Sequence, residues 1–345
     1  MLYALLLKPH ANVRYRQSLQ KLSRIELECM LNAWDIQASV LEMREIAGEP
    51  FLVFSADDMP REAWRAISRH SSICLAASLT EEGALIPIPR HTESVLPDEL
   101  PQVLKYKGKT NADFTYMMLH CARAASAFAR DEGRLTVLDP MCGKGTTLFC
   151  ALCEGWDALG VETDAKSLSE AEQYLERSLK WHRLKHKRTS SSRTLSGGGN
   201  AKMTEFTLAA DAQAMKDGDT LCLRTMCGDA ARLREMVKPE SVHLIVSDLP
   251  YGVQHAPREG GGMFNLKGLL RRTLPGCAYA LKQGGAIAFS FNLNTLRRQD
   301  VADAMEQAGL TVLAEGPWAD FSHWVEQAVD RDVVVAVKKS KGTNK

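Results

Sequence analysis

The sequence predicts an α/β fold: a Rossmann-like, mostly parallel sheet of seven strands, preceded by a small N-terminal α+β domain. Three observations predict it. From residue 135 onward, short apolar runs alternate with segments of helical period, the pattern of a parallel sheet covered on both faces. The first such run leads into VLDPMCGKGTT (137–147), a strand passing through a glycine loop into a helix. A later apolar run ends in Ser247-Asp248-Leu249-Pro250-Tyr251-Gly252.

The 345 residues, 45% hydrophobic and 25% charged, are ordinary for a globular chain and long enough for two domains, placed here at 1–100 and 101–345. The net charge of +1 makes no global demand for nucleic acid, so any basic surface must be local. Nine cysteines lie scattered without paired Cys-x-x-Cys spacing, which points to a reducing compartment and away from a zinc site. Cys150 and Cys153 read as small buried side chains on a helix. The apolar stretch 2–7 lacks a basic flank and is too short to span a membrane, so it reads as a first strand. The expected location is the cytoplasm, with no membrane partner.

In the first 100 residues, 1–7 is strand-like and 18–34 carries Leu19, Leu22, Ile25, Leu27, Met30, Leu31 and Trp34 at helical spacing. Residues 38–43 and 50–54 read as strands. Residues 58–69 read as a helix, with Asp57 or Asp58 as cap and Pro60 in its first turn. Two more strands follow at 73–79 and 83–87, and prolines at 87, 89, 97 and 101 mark the boundary. This part holds no catalytic constellation. Residues 102–110 form a basic connector, and 111–130 a helix capped by Thr110 or Asn111.

After the glycine loop, 146–153 is helical and ends at Gly155. The second strand, 158–161, closes on Glu162 and Asp164. Residues 165–187 read as a helix with a basic end, 189–200 as a flexible Ser/Gly-rich loop, 202–208 as a short extra strand and 211–217 as a short helix. Strands three to seven fall at 221–226, 242–246, 286–291, 310–315 and 332–338, with helices at 231–237, 266–281 and 293–308. Glycines 260–262 read as a mobile loop and the last residues as a basic tail. Only a loop joins the last two strands, so they form an antiparallel pair.

Chemistry gathers at the strand ends. Glycines let backbone pass close to a ligand, and a following helix offers free N–H groups to a carboxylate. Asp139, just before the loop, would repel phosphate but can pair with an ammonium. S-adenosylmethionine (SAM) carries both an ammonium and a carboxylate. Glu162 is placed to accept ribose hydroxyls, and Asp229 an adenine amino group. Each acid alone reads as a cap or turn residue; four at successive strand ends read better as one site. Asp164 reads equally well as a helix cap. In Asp248-Leu249-Pro250-Tyr251, a carboxylate and a carbonyl can take the two N–H bonds of an exocyclic amine and turn its lone pair outward. Pro250 stiffens that turn and Tyr251 offers a stacking face. The basic residues from Lys180 to Arg193 read either as a solvated helix end or as a phosphate-contacting patch. Trp181 reads as a base-stacking or a core residue. Phe321-Ser322-His323-Trp324 reads as an acceptor-pocket lining or as packing.

DPMCGKGT followed by SDLPYG resembles the class I methyltransferases that modify an exocyclic nitrogen of RNA guanine, and more closely the family forming N2-methylguanosine at position ten of tRNA, with its THUMP-domain relatives. KYKGKTNADFTYMMLHCA (105–122) is similar to the same family. The resemblance covers residues 104–338. It implies SAM as cofactor and no metal. It implies that Asp139, Pro140, Cys142, Gly143, Gly145 and Thr146 cradle the methionine end, that Glu162 holds the ribose, and that Asp229 and Ala230 hold the adenine. Thr110 and Asn111 would contact SAM, and Asp248 would border it. Asp248, Leu249, Pro250 and Tyr251 would hold the target base, guanine N2 in tRNA. The family's commonest form of this last motif is Asp-Pro-Pro-Tyr; here Leu249 takes the second place. No THUMP signature is recognisable in the first 100 residues, though their size and place suit RNA recruitment. Eukaryotic members work with a small zinc-containing activator subunit, which nothing in this sequence indicates. The competing readings are guanine N2 in ribosomal RNA, adenine N6 in DNA or RNA, a nucleotide-binding oxidoreductase and a catalytically silent RNA-binding module. The missing third glycine of G-x-G-x-x-G counts against the oxidoreductase.

Overall fold

The computed structural model describes residues 1–9, 13–57, 59–92, 94–103, 110–250 and 265–339. Asp58, most of the connector, Tyr251, the 260–262 loop and the tail from 340 lie outside the described residues.

The N-terminal sheet holds β1 (Leu2–Leu7), β2 (Leu41–Ile46), β3 (Glu49–Ser55), β4 (Ile73–Leu79) and β5 (Leu85–Pro87). Helix α1 (Val13–Ala33) joins β1 to β2, and α2 (Arg61–Ile67) joins β3 to β4. The order is β2-β3-β1-β4-β5, with every pairing antiparallel. Without β5 this is the β-α-β-β-α-β arrangement called ferredoxin-like. Strand alternation turns Leu5, Leu52 and Phe54 toward Leu27 and Leu31 of α1 and toward Trp64 and Ile67 of α2. Pro60, and not Asp57, takes the N-cap of α2, at φ −53° and with no side-chain cap. The ring already fixes the φ that a first turn needs.

Next come α3 (Leu100–Val103), α4 (Ala112–Ala125), β6 (Thr136–Asp139), α5 (Thr146–Cys153), β7 (Asp157–Glu162), α6 (Ala165–Trp181), β8 (Lys185–Thr194) and β9 (Asn200–Ala209). The chain continues through α7 (Ala212–Asp217), β10 (Leu221–Cys227), α8 (Leu233–Met236), β11 (Val242–Asp248), α9 (Leu266–Ala280) and β12 (Leu281–Asn292). It ends with α10 (Arg298–Gln307), β13 (Thr311–Val312), β14 (His323–Glu326) and β15 (Val329–Val337). The sheet order is β13-β15-β12-β11-β6-β7-β10-β9-β8, with β14 on β15. Strands β12, β11, β6, β7 and β10 are mutually parallel, and the pairings outside them are antiparallel. Apolar cores fill both faces of the sheet. Among the described residues, no helix is long and apolar enough to cross a membrane.

The sheet thus has ten strands and is mixed, against the seven expected. The main departure is the hairpin β8–β9. Helix α6 stops at Trp181, not at 187, because Arg183 adopts φ +56° and the Leu184 N–H closes back on the Leu179 carbonyl at 2.9 Å. Residues 189–194 of the stretch expected to be a loop belong instead to an edge strand, β8, paired over its length with β9. Both faces of β8 are largely exposed, so it carries no apolar alternation to read. Its partner supplies the reason: Phe206 and Leu208 of β9 are buried, and their backbone groups need a ladder on the outer side. Gly197, Gly198 and Gly199 turn the hairpin at φ +71°, +101° and +91°, where a Cβ would be strained. The expected sixth strand shrinks to two residues, β13.

Helix α1 serves both halves. Its other face, Leu22, Ile25 and Cys29, shares a core with Leu119 and Ala122 of α4. Within that contact, Glu26 is fully buried. It accepts the Ser71 N–H at 2.9 Å and the Ser71 hydroxyl at 2.5 Å, and it meets His120 Nδ1 of α4 at 2.7 Å. On the other side, His120 Nε2 lies 3.5 Å from Glu154, which holds Arg69 at 2.8 Å. Burial opposes a charged imidazole, but Glu154 and Glu26 outweigh it and raise His120 to about 9. Burial likewise opposes ionised Glu154, but Arg69 and His120 outweigh it and hold Glu154 at about 2. A cleft of about 310 Å³ opens alongside. Two of its arginines are engaged with rings: Arg123 lies over Trp156, and Arg130 over Trp34, each at 5.6 Å.

Removing one member of a buried ion network costs about 3–5 kcal/mol. A raised imidazole pKa stabilises fully below the ordinary 6.5 and loses that contribution as pH rises through about 9. His120→Gln is therefore expected to lower the urea midpoint at pH 6 and to flatten its decline between pH 6.5 and 9. A decline as steep as in the unaltered protein would refute the assignment.

Candidate active site

Because β12, β11, β6, β7 and β10 are parallel neighbours, their carboxyl ends share one edge of the sheet. Along it stand Ser290, Asp248, Asp139, Glu162 and, just past β10, Asp229. Between β6 and β11 the strand order reverses direction, the place where such sheets open a crevice. The ladder there has only two register pairs, Val137 with Leu244 and Leu138 with Ile245.

Side chains bridge the gap beyond that short ladder. Asp139 is 3% exposed. Its Oδ1 accepts the Ser247 hydroxyl at 2.7 Å and the Met141 N–H at 3.0 Å, and the Thr147 hydroxyl also donates to the carboxylate. Burial pushes its carboxyl up to about 6, and those donors pull the other way. Pro140 is buried behind it. The loop then turns on Gly143 (φ +50°) and Gly145 (φ +86°), the latter capping α5. Cys142 is buried and its N–H donates to the Val161 carbonyl at 3.0 Å; Gly143 N–H donates to Glu162 Oε2 at 2.9 Å. Thr146 and Thr147 open α5 as buried hydroxyls.

Glu162 does more than end β7. Its Oε1 accepts the Asp164 N–H at 2.8 Å, so one carboxylate braces both the glycine loop and its own turn. Its carbonyl accepts the Gly228 N–H at 2.9 Å, which sets Asp229 beside it. Asp229 is exposed and caps a short 3-10 turn through the Ala231 N–H at 2.8 Å, over the buried Ala230. Asp164 is the N-cap of α6.

Asp248 is ringed by donors. Ser290, its register partner on β12, donates to Oδ1 at 2.5 Å, and Thr110 donates to Oδ2 at 2.5 Å. The Arg331 guanidinium lies 3.7 Å from Oδ2 and 4.5 Å from the centre of the Phe114 ring. His323, 5.3 Å from the same ring, is lowered to about 4 by burial, with Arg331 and Lys21 adding to it. Leu249 turns its side chain into the core, 2% exposed, while its N–H donates to the Ser290 carbonyl at 2.8 Å. Pro250 follows, half-buried.

The sheet therefore brings Asp139, Pro140, Cys142, Gly143, Gly145, Thr146, Glu162, Asp229, Ala230, Asp248, Leu249 and Pro250 to one edge. Thr110 joins them at Asp248, whereas Asn111 caps α4 through the Asp113 N–H. Tyr251 lies outside the described residues. Phe321 is core, and Ser18 and Lys21 of α1 bond the Trp324 and Ser322 carbonyls, so that cluster packs the two halves together. Trp181 is 83% exposed and is no core residue. The sequence reading missed Ser247, Ser290 and Arg331. A signal for the two serines was present: a lone hydroxyl at or near the end of an apolar run, at 244–247 and 286–291 alike.

Residues 111–292 match a family model described as RMKL-like, methyltransferase domain. No curated protein sequence matches the chain. Similar solved structures include a TehB-like SAM-dependent methyltransferase from Corynebacterium glutamicum, at 16% identity and TM-score 0.37, covering 65% of this chain and 87% of that one. Another is magnesium protoporphyrin IX methyltransferase from Synechocystis with bound SAM, at 11% identity and TM-score 0.40, covering 70% and 88%. A third is a ribosomal protein L11 methylase from Lactobacillus delbrueckii, at 13% and TM-score 0.37, covering 66% and 80%.

The close approach of β7 to the glycine loop rests on Gly160, where a Cβ would stand 2.6 Å from Leu148 Cδ1 and 2.7 Å from Cys142 Sγ. Gly160→Ala is expected to cost about 1–3 kcal/mol in urea unfolding, the usual range for overpacking. A midpoint equal to that of the unaltered protein would show that the loop yields freely.

Proposed function

The chain belongs to the RMKL-like methyltransferase domain family, and on that premise we propose that it methylates an exocyclic nitrogen of a nucleic-acid base with SAM, foremost guanine N2 in tRNA. The observation that carries the reading is Asp248. It stands at the switch point, fixed by Ser290, Thr110 and Arg331, with Leu249-Pro250-Tyr251 immediately after it.

The donor set suits SAM. The α5 N-terminus behind two left-handed glycines offers N–H groups to a carboxylate, and a Cβ built on Gly143 meets nothing within 4 Å, so that side of the loop is open. Asp139 supplies negative charge for the ammonium. Glu162 and Asp229 supply acceptors for the ribose and the adenine amine. When bound, SAM supplies an electrophilic methyl group on a sulfonium.

The chain's own part is to prepare the amine. Conjugation spreads the lone pair of an exocyclic nitrogen into its ring. Asp248 and the Leu249 carbonyl accept its two N–H bonds and hold the lone pair outward. Ser290, Thr110 and Arg331 keep that carboxylate from swinging away. Tyr251 stacks on the base, which must leave its own stack to enter. The N-terminal unit, close-packed on α4, serves RNA recruitment. Guanine N2 in ribosomal RNA and adenine N6 meet the same acceptor pair, and product analysis separates them.

Asp248→Ala is expected to lower turnover by about 10²–10³-fold, the usual cost of one transition-state hydrogen-bonding group, while SAM affinity changes far less. The assay offers unmodified tRNA, ribosomal RNA and DNA with SAM and identifies products by nucleoside mass spectrometry. N2-methylguanosine in tRNA is the expected product, and methyladenine in any substrate would overturn the guanine assignment.

Asp139 gives a second expectation. A carboxyl raised to about 6 favours the protonated form in the folded chain, so its contribution to stability is lost as pH rises from the ordinary 3.8 through about 6. SAM needs the ionised form. Its affinity, measured by titration calorimetry, should therefore fall as pH drops below about 6, and Asp139→Asn should abolish that dependence. A flat profile in the unaltered protein would remove Asp139 from the ammonium site.

A further inference from the structure

Residues 177–194 contain seven Lys and Arg and no Asp or Glu, in a chain whose net charge is +1. The fold wraps this stretch around the free edge of the large sheet, from the last turn of α6 along β8. Part of the charge is spent internally: Lys180 pairs with Glu176, and Arg188 with Glu172 and Glu176. Arg177, Arg183, Lys185 and Lys187 are exposed and have no acidic partner among the described residues. Trp181 stands among them, 83% exposed.

Two ordinary explanations fall short. A helix dipole favours cations in the last turn, which accounts for Lys180 but not for residues beyond the helix. Lysines on an edge strand discourage strand pairing between molecules, which accounts for Lys185 and Lys187. Neither explains a tryptophan held in water at their centre, since an exposed indole forfeits its burial energy. Cations flanking an open aromatic face are what a nucleic-acid backbone and its bases bind.

We infer that the α6–β8 edge is a second RNA contact of this enzyme, binding the substrate's backbone and stacking on Trp181 at a distance from the base being modified. The inference rests on the RNA reading proposed above. Its geometry narrows the substrate further. Helix α6, capped by Asp164 two residues past Glu162 on the site edge, runs its 17 residues away from it. At about 1.5 Å per residue, Trp181 lies about 25 Å from the site. A single extruded nucleotide cannot reach both places; a folded RNA arm can.

The test compares the full chain with Trp181→Ala and with Arg183→Glu/Lys187→Glu, both at exposed positions. Unchanged melting temperature and SAM affinity would certify both variants as folded. Unmodified tRNA and a short stem-loop carrying the same target nucleotide serve as substrates. The expected result is a rise in KM for tRNA of about tenfold for the charge reversal and about fivefold for the tryptophan. KM for the stem-loop and kcat for both substrates should stay unchanged. The salt dependence of tRNA binding should lose about 0.7–0.9 of log–log slope per cation removed. Equal KM values for both proteins on tRNA, or an equal loss on tRNA and stem-loop, would overturn the inference. So would cation-dependent binding to phosphatidylserine vesicles with tRNA binding untouched. If the unaltered chain methylates no nucleic acid, the proposed function fails by itself. Filter binding of tRNA then still decides the surface: weaker binding by the variants supports it, and equal binding rejects it.

Discussion

The hydrogen bond from Ser247 to Asp139, 2.7 Å long, carries more of this structure than its length implies. The large sheet opens between β6 and β11, where backbone pairing ends after two residues on each strand. A crevice for ligand needs that opening, but an opening in the middle of a sheet exposes both strand ends to slippage. Asp139 closes the risk from inside. It ties β11 to β6 through Ser247 and ties the glycine loop to the same point through Met141 and Thr147. Such bonds are strongest where water is excluded, and at 3% exposure Asp139 has little water to compete with them. The glycine loop and the strand end that carries Asp248 thus hang from one buried carboxyl.

Much of this was legible in the sequence because parallel strands buried on both faces leave unbroken apolar runs, and because Asp139, Glu162, Asp229 and Asp248 mark where those runs stop. The hairpin was not legible. Both faces of β8 are open, so neither period appears in it, and its strand character comes from the ladder that β9 requires. Nor was the donor ring around Asp248. Thr110, Ser290 and Arg331 come from three separate stretches of chain: the sheet register brings Ser290 and Arg331 to it, and the approach to α4 brings Thr110.

A division of labour between backbone and side chain runs through the site. Glycines at 143, 145 and 160 are there for what they lack: the first two for a left-handed φ, the third for the space Cys142 and Leu148 occupy. The carboxylates, by contrast, mostly begin as braces. Glu162 and Asp229 each hold a nearby backbone N–H. Prior commitment of this kind fixes their direction, and a fixed acceptor loses less entropy on binding than a free one.

The shared helix α1 bears on how such a chain can be inherited. Glu26, Ser71 and Arg69 come from the N-terminal half, while His120 and Glu154 come from the other, and all lie in one water-poor contact. A gene fusion that replaced the first half with a different domain would leave His120 and Glu154 facing apolar or mismatched groups. Only a module bringing its own acid and guanidinium to the same two places could be accepted. The ion network therefore works as a compatibility lock, tying the fate of the N-terminal half to that of the methyltransferase half.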